Sequence, residues 1–434
     1  MKVLIVSEYW VPREMGGGEV SADLLAQGLV AQGVTVTVLT SRVDTLPAVS
    51  VERGMTIHRT IATGKHPATL SSNIKRALVF PWSLRRAIRR LLAHETFDII
   101  HVMGMTAIPV VAEIRTNIPK TAHINSAIPF CPKSTLLRST ARGESTCDLV
   151  RCTPRAFVSC LWHTRELGKM PMRRLVRWNP FAYLALYRRY LRLGREQVLR
   201  AYAHYFPISS FLGSRLDDRG VAKTAITRVL NPVILDDYVR IPLMKRAKPR
   251  LYYIGNYVAS KGLLVLLDAV KQLHGEFELH LYGSGPLEAE LRERVATEHL
   301  PVTIHGRVAP QELPKVHEEN DICILPSLVL EGLGRLLIEA MAAGKAVVGA
   351  DSGGIRDVFV HEESGMLVPP GDVNALATVL QQLVDKPMVR LKLGAKARER
   401  AVKVFDQRLL ATQMHNVWKG ILSTRELPAK EQGL

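Results

Sequence analysis

The chain has no run of about 18 apolar residues, so no segment is long enough to cross a bilayer as a helix. Its start, Met1 to Val6, is apolar for too short a stretch to read as a secretory leader, and it leads straight into Ser7 and Glu8. That start reads as a first buried strand, and a cytoplasmic location is the expectation. Asp-x-Asp, the carboxylate pair that commonly holds a divalent ion on a diphosphate, occurs nowhere. No zinc-finger, RNP or basic-zipper pattern is present either, so the usual nucleic-acid modules are missing. Acids are also in short supply. With 58 Lys and Arg against 40 Asp and Glu, the net charge is +18, which calls for an anionic partner.

Hydrophobic residues at 47% and charged residues at 23% let the whole length fold, and 434 residues suggest two domains rather than one core. Strand-like runs at Lys2–Val6, Val34–Leu39, Asp98–Val102 and Thr121–Ile124 alternate with helical patterns, the first of them Val20–Val30. A second series, Leu251–Ile254, Glu278–Tyr282, Val302–His305, Ile322–Leu325 and Ala346–Gly349, follows Asn231-Pro232. Alternation of this kind predicts α/β domains with doubly wound parallel sheets. The expected division is an amino-terminal domain 1–232, a linker 233–250, a carboxyl-terminal domain 251–405 and a tail 406–434 that packs back on the first domain. Two such domains face to face enclose a cleft, because ligands sit beyond the carboxyl ends of the strands.

Several glycine-rich turns fall at strand ends. Gly16-Gly17-Gly18 lies between the first strand and the first helix, where backbone N–H groups can face a phosphate; the alternative is a flexible loop. Its spacing is not that of a dinucleotide site. Gly255 ends a strand and Lys261-Gly262 opens the next helix; the lysine is either a point charge for a diphosphate or a surface residue. Gly283-Ser284-Gly285-Pro286 ends the next strand in the same manner. The most informative stretch runs from Pro326 to Gly344 and carries Glu331 and Glu339, eight residues apart. Glu339 sits among Ile338, Ala340 and Met341, and a buried carboxylate needs hydrogen bonds that ribose hydroxyls could supply. Glu331 precedes Gly332 and Gly334, where a carboxylate and exposed amides could grip a polar ligand. Helix-start acids favoured by the dipole are the simpler reading, which suits Glu331 better than Glu339.

The Pro326–Gly344 stretch resembles the E-x7-E signature of glycosyltransferase family 4. Gly16 to Gly18, Gly255 with Lys261-Gly262, Gly283-Ser284-Gly285, Asp351-Ser352-Gly353-Gly354, Glu363 to Val368 and Gly371-Asp372 follow the same family in order over nearly the whole chain. The resemblance implies a GT-B fold, two facing Rossmann-like domains, and transfer of a sugar from a nucleotide-sugar donor such as a UDP- or GDP-sugar, with retained configuration. It places Glu339 on the donor ribose, Glu331 with the amides of Leu333 and Gly334 on the transferred sugar, and Lys261 on the diphosphate. Gly16, Gly17, Gly18, Gly255, Asn256, Gly283, Arg307 and Gly332 complete the implied donor site. Many relatives carry arginine directly after the strand-end glycine; Asn256 stands there, which leaves more of the work to Lys261 or to an arginine elsewhere. His123, at a strand end, matches an active-site histidine of the family, whereas His101 is a weaker candidate. Without Asp-x-Asp, the expected catalysis is metal-independent, with Lys261 and helix N-termini neutralising the leaving group.

Cys131, Cys147, Cys152 and Cys160, in an insertion over 131–163, leave three states open: a structural zinc site, free thiols or disulfides. The basic surplus is concentrated. Lys75 to Arg90 holds six basic residues and no acid, and Arg165 to Arg200 holds ten against two acids. Pro81–Leu92 reads as a short helix with Leu84, Ile88 and Leu91 on one side and Arg85, Arg86, Arg89 and Arg90 elsewhere; Phe181–Leu193 has a similar mixture. Such segments suit either an anionic membrane surface or a solvated basic face. A lipid-linked, glycolipid or polysaccharide-precursor acceptor, and a peripheral position on the inner face of the membrane, are the matching expectations. The competing readings are another GT-B enzyme, such as a nucleotide-sugar epimerase, and a basic nucleic-acid binder.

Overall fold

The computed structural model describes residues 1–12, 17–64, 70–127, 129–131, 137–140, 143–147, 151–163, 187–188 and 190–426. Its strands in the first half are β1 (Lys2–Val6), β2 (Thr35–Ser41), β3 (Val49–Glu52), β4 (Met55–Ile61), β5 (Ile99–Val102), β6 (Lys120–Ile124), β7 (Leu137–Thr140), β8 (Gly143–Thr146) and β9 (His204–Pro207). In the second half they are β10 (Arg250–Ile254), β11 (Glu278–Tyr282), β12 (Val302–Gly306), β13 (Ile322–Leu325), β14 (Ala346–Ala350) and β15 (Met366–Val368). One sheet has the order β3-β4-β2-β1-β5-β6-β9 and the other β12-β11-β10-β13-β14-β15; β7 and β8 pair only with each other. The second sheet is parallel throughout, and in the first only β3 runs antiparallel to its neighbour.

With β3 set aside, both sheets are wound outward in two directions from a central first strand. Their switch points lie between β1 and β5 and between β10 and β13, where loops leave in opposite directions and open a crevice. Helices on both faces explain why the central strands are apolar without alternation: β1, β5, β13 and β14 are buried nearly throughout.

The chain crosses between the domains twice. Val233 N donates to Phe405 O at 3.1 Å, so the two crossings lie side by side. Helix Gln407–Glu426 then packs on the first domain: Gln32 Nε2 donates to Thr412 Oγ1 at 3.0 Å, and Trp418 is fully buried. Across the cleft, Asp357 accepts from the amide and hydroxyl of Ser210 at 2.7 and 2.8 Å and pairs with Arg228. The short helix expected at Pro81–Leu92 is in fact the second half of a 25-residue helix, Leu70–His94, with Pro81 inside it. Proline favours a first turn, which is why the sequence alone suggests a start there. Of Phe181–Leu193, residues 181–186 and 189 lie outside the described residues.

Candidate active site

The loops after β10 and β13 meet at the switch point of the second sheet. Gly262 is at φ +71°, and a Cβ there would lie 2.0 Å from Pro326 O, so only glycine lets the β10 loop close onto the β13 loop. This closure brings Lys261 Nζ to 2.5 Å from Glu331 Oε1, which also accepts from Ser327 Oγ at 2.5 Å. Asn256 follows Gly255 in the same loop, and its carbonyl accepts from Tyr253 Oη at 3.1 Å. The Tyr253 hydroxyl is pushed above its ordinary pKa by burial first and by the Glu331 charge second. Gly283 N donates to Gly306 O at 2.6 Å, and Arg307 beyond it donates to Ser284 Oγ at 2.6 Å. Gly283 and Arg307 thus occupy the neighbouring loops, after β11 and β12.

Glu339 lies in helix Arg335–Ala342, which Gly334 precedes at φ +95°, with Leu333 buried beneath. Glu339 is only 7% exposed, and its carboxylate accepts from Arg335 Nε at 2.7 Å, one turn earlier. Sequence reasoning assigned no role to Arg335; the i, i+4 spacing to Glu339 was the available signal. The same guanidinium reaches the other domain, donating from Nη1 to Ser21 Oγ at 3.0 Å. A Cβ on Gly17 would sit 3.0 Å from Arg335 Cδ, one on Gly18 3.2 Å from Asn125 Nδ2, and one on Gly332 3.3 Å from Asn125 O. The expected ligand-facing pieces of both domains therefore face one another across a narrow cleft. Gly16 lies outside the described residues.

His123 is the penultimate residue of β6, two positions before Asn125. Its Nδ1 is buried with no hydrogen-bond partner, and burial pulls its pKa from 6.5 down to about 4. The ring is therefore neutral at pH 7 and can donate or accept but cannot supply a fixed charge. Beneath it lie His101, whose ring centroid is 5.9 Å away at 88°, and Phe206. Sequence reasoning also passed over Glu8, at the carboxyl end of β1 beside the first switch point. Its buried carboxylate accepts from Thr63 Oγ1 at 2.8 Å, Arg76 Nε at 2.7 Å and Thr106 Oγ1 at 2.5 Å. Burial raises its pKa, but Arg76 and the two hydroxyls outweigh burial and hold the carboxyl below its ordinary value.

None of the five cysteines is in a disulfide, and among the described residues no three His, Cys, Asp or Glu side chains are grouped to hold a metal ion.

Two doubly wound domains meeting over opposed switch points define the GT-B fold. Matching solved structures share it: sucrose-phosphate synthase from Thermosynechococcus elongatus at TM-score 0.73 and 21% identity, covering 98% of this chain and 100% of that one, and Anabaena HepE in complex with UDP-glucose at TM-score 0.66 and 15% identity, covering 97% and 100%. Residues 15–237 match the profile described as glycosyltransferase family 4 and residues 248–386 that of glycosyl transferases group 1, and the chain belongs to this family. Curated relatives include the amylovoran biosynthesis glycosyltransferase AmsK of Erwinia amylovora, 33% identical over 39% of this chain and 44% of its own length. The phosphatidyl-myo-inositol mannosyltransferase of Mycolicibacterium smegmatis is 30% identical over 44% of this chain and 51% of its own. The matched segment thus spans about half or less of either relative.

Proposed function

We propose that the chain transfers a sugar, with retained configuration and without a catalytic metal, from a nucleoside diphosphate sugar to a glycolipid, lipid-linked or polysaccharide-precursor acceptor. The observation that carries this reading is the pair of acid–base contacts at the second switch point, Lys261 with Glu331 and Arg335 with Glu339, facing Gly17, Gly18 and Asn125. Glu339 takes the ribose hydroxyls and Glu331 those of the sugar. Lys261 donates to the diphosphate as its bond to the anomeric carbon breaks and its charge grows. The acceptor oxygen bonds to that carbon from the same face, and its proton leaves with the departing phosphate oxygen. Neutral His123 lines the sugar's side of the cleft. The absence of Asp-x-Asp supports metal independence.

The acceptor class is supported by the surface of the first domain. Helix Leu70–His94 buries Phe80, Leu84, Ile88 and Leu91 but exposes Ile74, Leu78 and Trp82 beside its basic residues. Apolar side chains interleaved with cations suit an anionic lipid surface, and one relative is named for phosphatidyl-myo-inositol. The test is release of nucleoside diphosphate from a panel of UDP-, GDP- and ADP-sugars with and without acceptor, followed by product analysis. A new glycoside with retained anomeric configuration is the expected result. Epimerised free nucleotide-sugar without transfer would overturn the reading.

A further inference from the structure

Trp418, from the last helix of the chain, forms part of the floor beneath His123. Its indole Nε1 donates to Thr121 Oγ1 at 3.2 Å, and His101 Nδ1 lies 2.8 Å from that same oxygen. Indole N–H is a donor only, so Thr121 accepts there. The Thr121 hydroxyl then has one proton to place. Among the described residues, the acceptor within its reach is His101 Nδ1. Thr121 is fully buried, and a buried hydroxyl that donates to nothing is destabilising by its whole desolvation penalty. The proton therefore points at His101 Nδ1, and the ring's own proton must sit on Nε2.

We propose that Trp418, acting through Thr121, locks His101 as the Nε2–H tautomer and so fixes the ring against which His123 works. Trp418 and Thr121 are then positioning residues for the reaction. The His101 ring stands between Trp418, at 5.3 Å between centroids, and His123, at 5.9 Å. His101 Nε2 and His123 Nδ1 are both buried without a hydrogen-bond partner. A fixed neutral His101 presents one N–H to this aromatic box and places no positive charge beside the neutral His123 ring. Burial and the neighbouring His123 both hold the His101 pKa well below its ordinary value, in keeping with that role. The carboxyl-terminal helix, which crosses back from the second domain, would thus set the chemistry of the first.

The inference rests on His123 lying in the transfer site, so the test is read in two ways. Ring-nitrogen shifts of 15N-histidine in the full chain need no substrate. Wild type should show His101 protonated at Nε2 and bare at Nδ1 at pH 7, and Trp418→Phe and Thr121→Val should each shift His101 toward Nδ1–H or a mixture. Thr121→Ser, which keeps the hydroxyl, should retain the wild-type pattern. In transfer assays, Trp418→Phe and Thr121→Val should lower kcat by roughly tenfold, or about 1.4 kcal/mol in the barrier, with donor KM unchanged. The double variant should be no slower than either single one. If phenylalanine at 418 unfolds the chain, Thr121→Val carries the same test with one hydroxyl exchanged for a methyl. An unchanged His101 tautomer in the folded variants, or a changed tautomer with unchanged kcat, overturns the proposal. Failure of the site assignment on which the inference rests shows elsewhere, as full transfer activity in His123→Ala and Lys261→Ala, and failure of the proposed function shows as no transfer by wild type.

Discussion

Arg335 and Ser21, 314 residues apart in the chain, meet across the cleft at 3.0 Å between Nη1 and Oγ. The same guanidinium holds Glu339 at 2.7 Å from its Nε. One side chain therefore links the acid proposed for the ribose to contact between the domains, and Ser21 is itself anchored by donating to Gly17 O at 2.9 Å.

That arrangement separates the roles of two residues by ligand. Glu339→Ala should weaken both a plain nucleoside and its diphosphate, because the ribose is common to both. Lys261→Ala should weaken only the diphosphate. Each loss should be about 2 kcal/mol, or roughly thirtyfold in Kd, as for a hydrogen bond to a charged group. Calorimetric titration measures it. Equal losses of nucleoside affinity in both variants would contradict the assignment.

Transfer should survive EDTA while Lys261→Ala slows it by roughly a hundredfold, the scale seen when a donor to a developing charge is removed. The informative measurement is kcat with excess chelator in wild type. Activity that collapses and returns with magnesium or manganese would remove Lys261 from the central place given to it.

The strand ends and their glycines were legible because parallel, doubly covered strands are short apolar runs that end where the backbone turns toward a ligand. Ile322–Leu325 and Glu278–Tyr282 have the bounds read from sequence. β4 and β9 were not read: Met55–Ile61 carries His58, Arg59 and Thr60 among its apolar residues, and β9 includes His204 and ends in Pro207. In the site, Lys261 and Glu331 could be nominated from loop positions, but their direct contact depends on Gly262 closing one loop on another. Arg335 could have been paired with Glu339 from helical spacing; Ser21 could not, because nothing local links residues so distant in the chain. The surroundings of His123 were invisible for the same reason, since Trp418 comes from the last helix.

Acid should destabilise the fold through its buried histidines. His123 has its pKa lowered from 6.5 to about 4 and His317 from 6.5 to about 3. A neutral buried histidine binds its proton more weakly folded than unfolded. Its contribution is therefore complete above pH 6.5 and is lost as pH falls from there toward the folded value. For His123 the loss between pH 7 and pH 5 should be about 2 kcal/mol. Urea unfolding midpoints at the two pH values measure it, and His123→Gln should remove that share of the drop. A pH 7 to pH 5 drop as large in His123→Gln as in wild type would mean the ring is not buried neutral.

The basic helix of the first domain should hold the protein on anionic lipid. Leu78 and Trp82 are 71% and 60% exposed, one turn apart, and the Arg86 guanidinium lies 5.4 Å over the Trp82 ring. Ile74 continues the stripe toward the helix start, and Arg89 and Arg90 extend the charge toward its end. Arg85 differs from these because it is paired with Glu113. Apolar burial and charge attraction thus act on one face, and each cation near an anionic surface contributes about 1 kcal/mol. Replacing Arg86, Arg89 and Arg90 with Ser should therefore weaken binding to phosphatidylserine-containing liposomes by roughly a hundredfold. Trp82→Ser should weaken it at every salt concentration, whereas the arginine effect should fade as salt screens it. Sedimentation with liposomes at low and high salt separates the two contributions. Equal binding to neutral and anionic liposomes, or none to either, would show that this face serves only solvent.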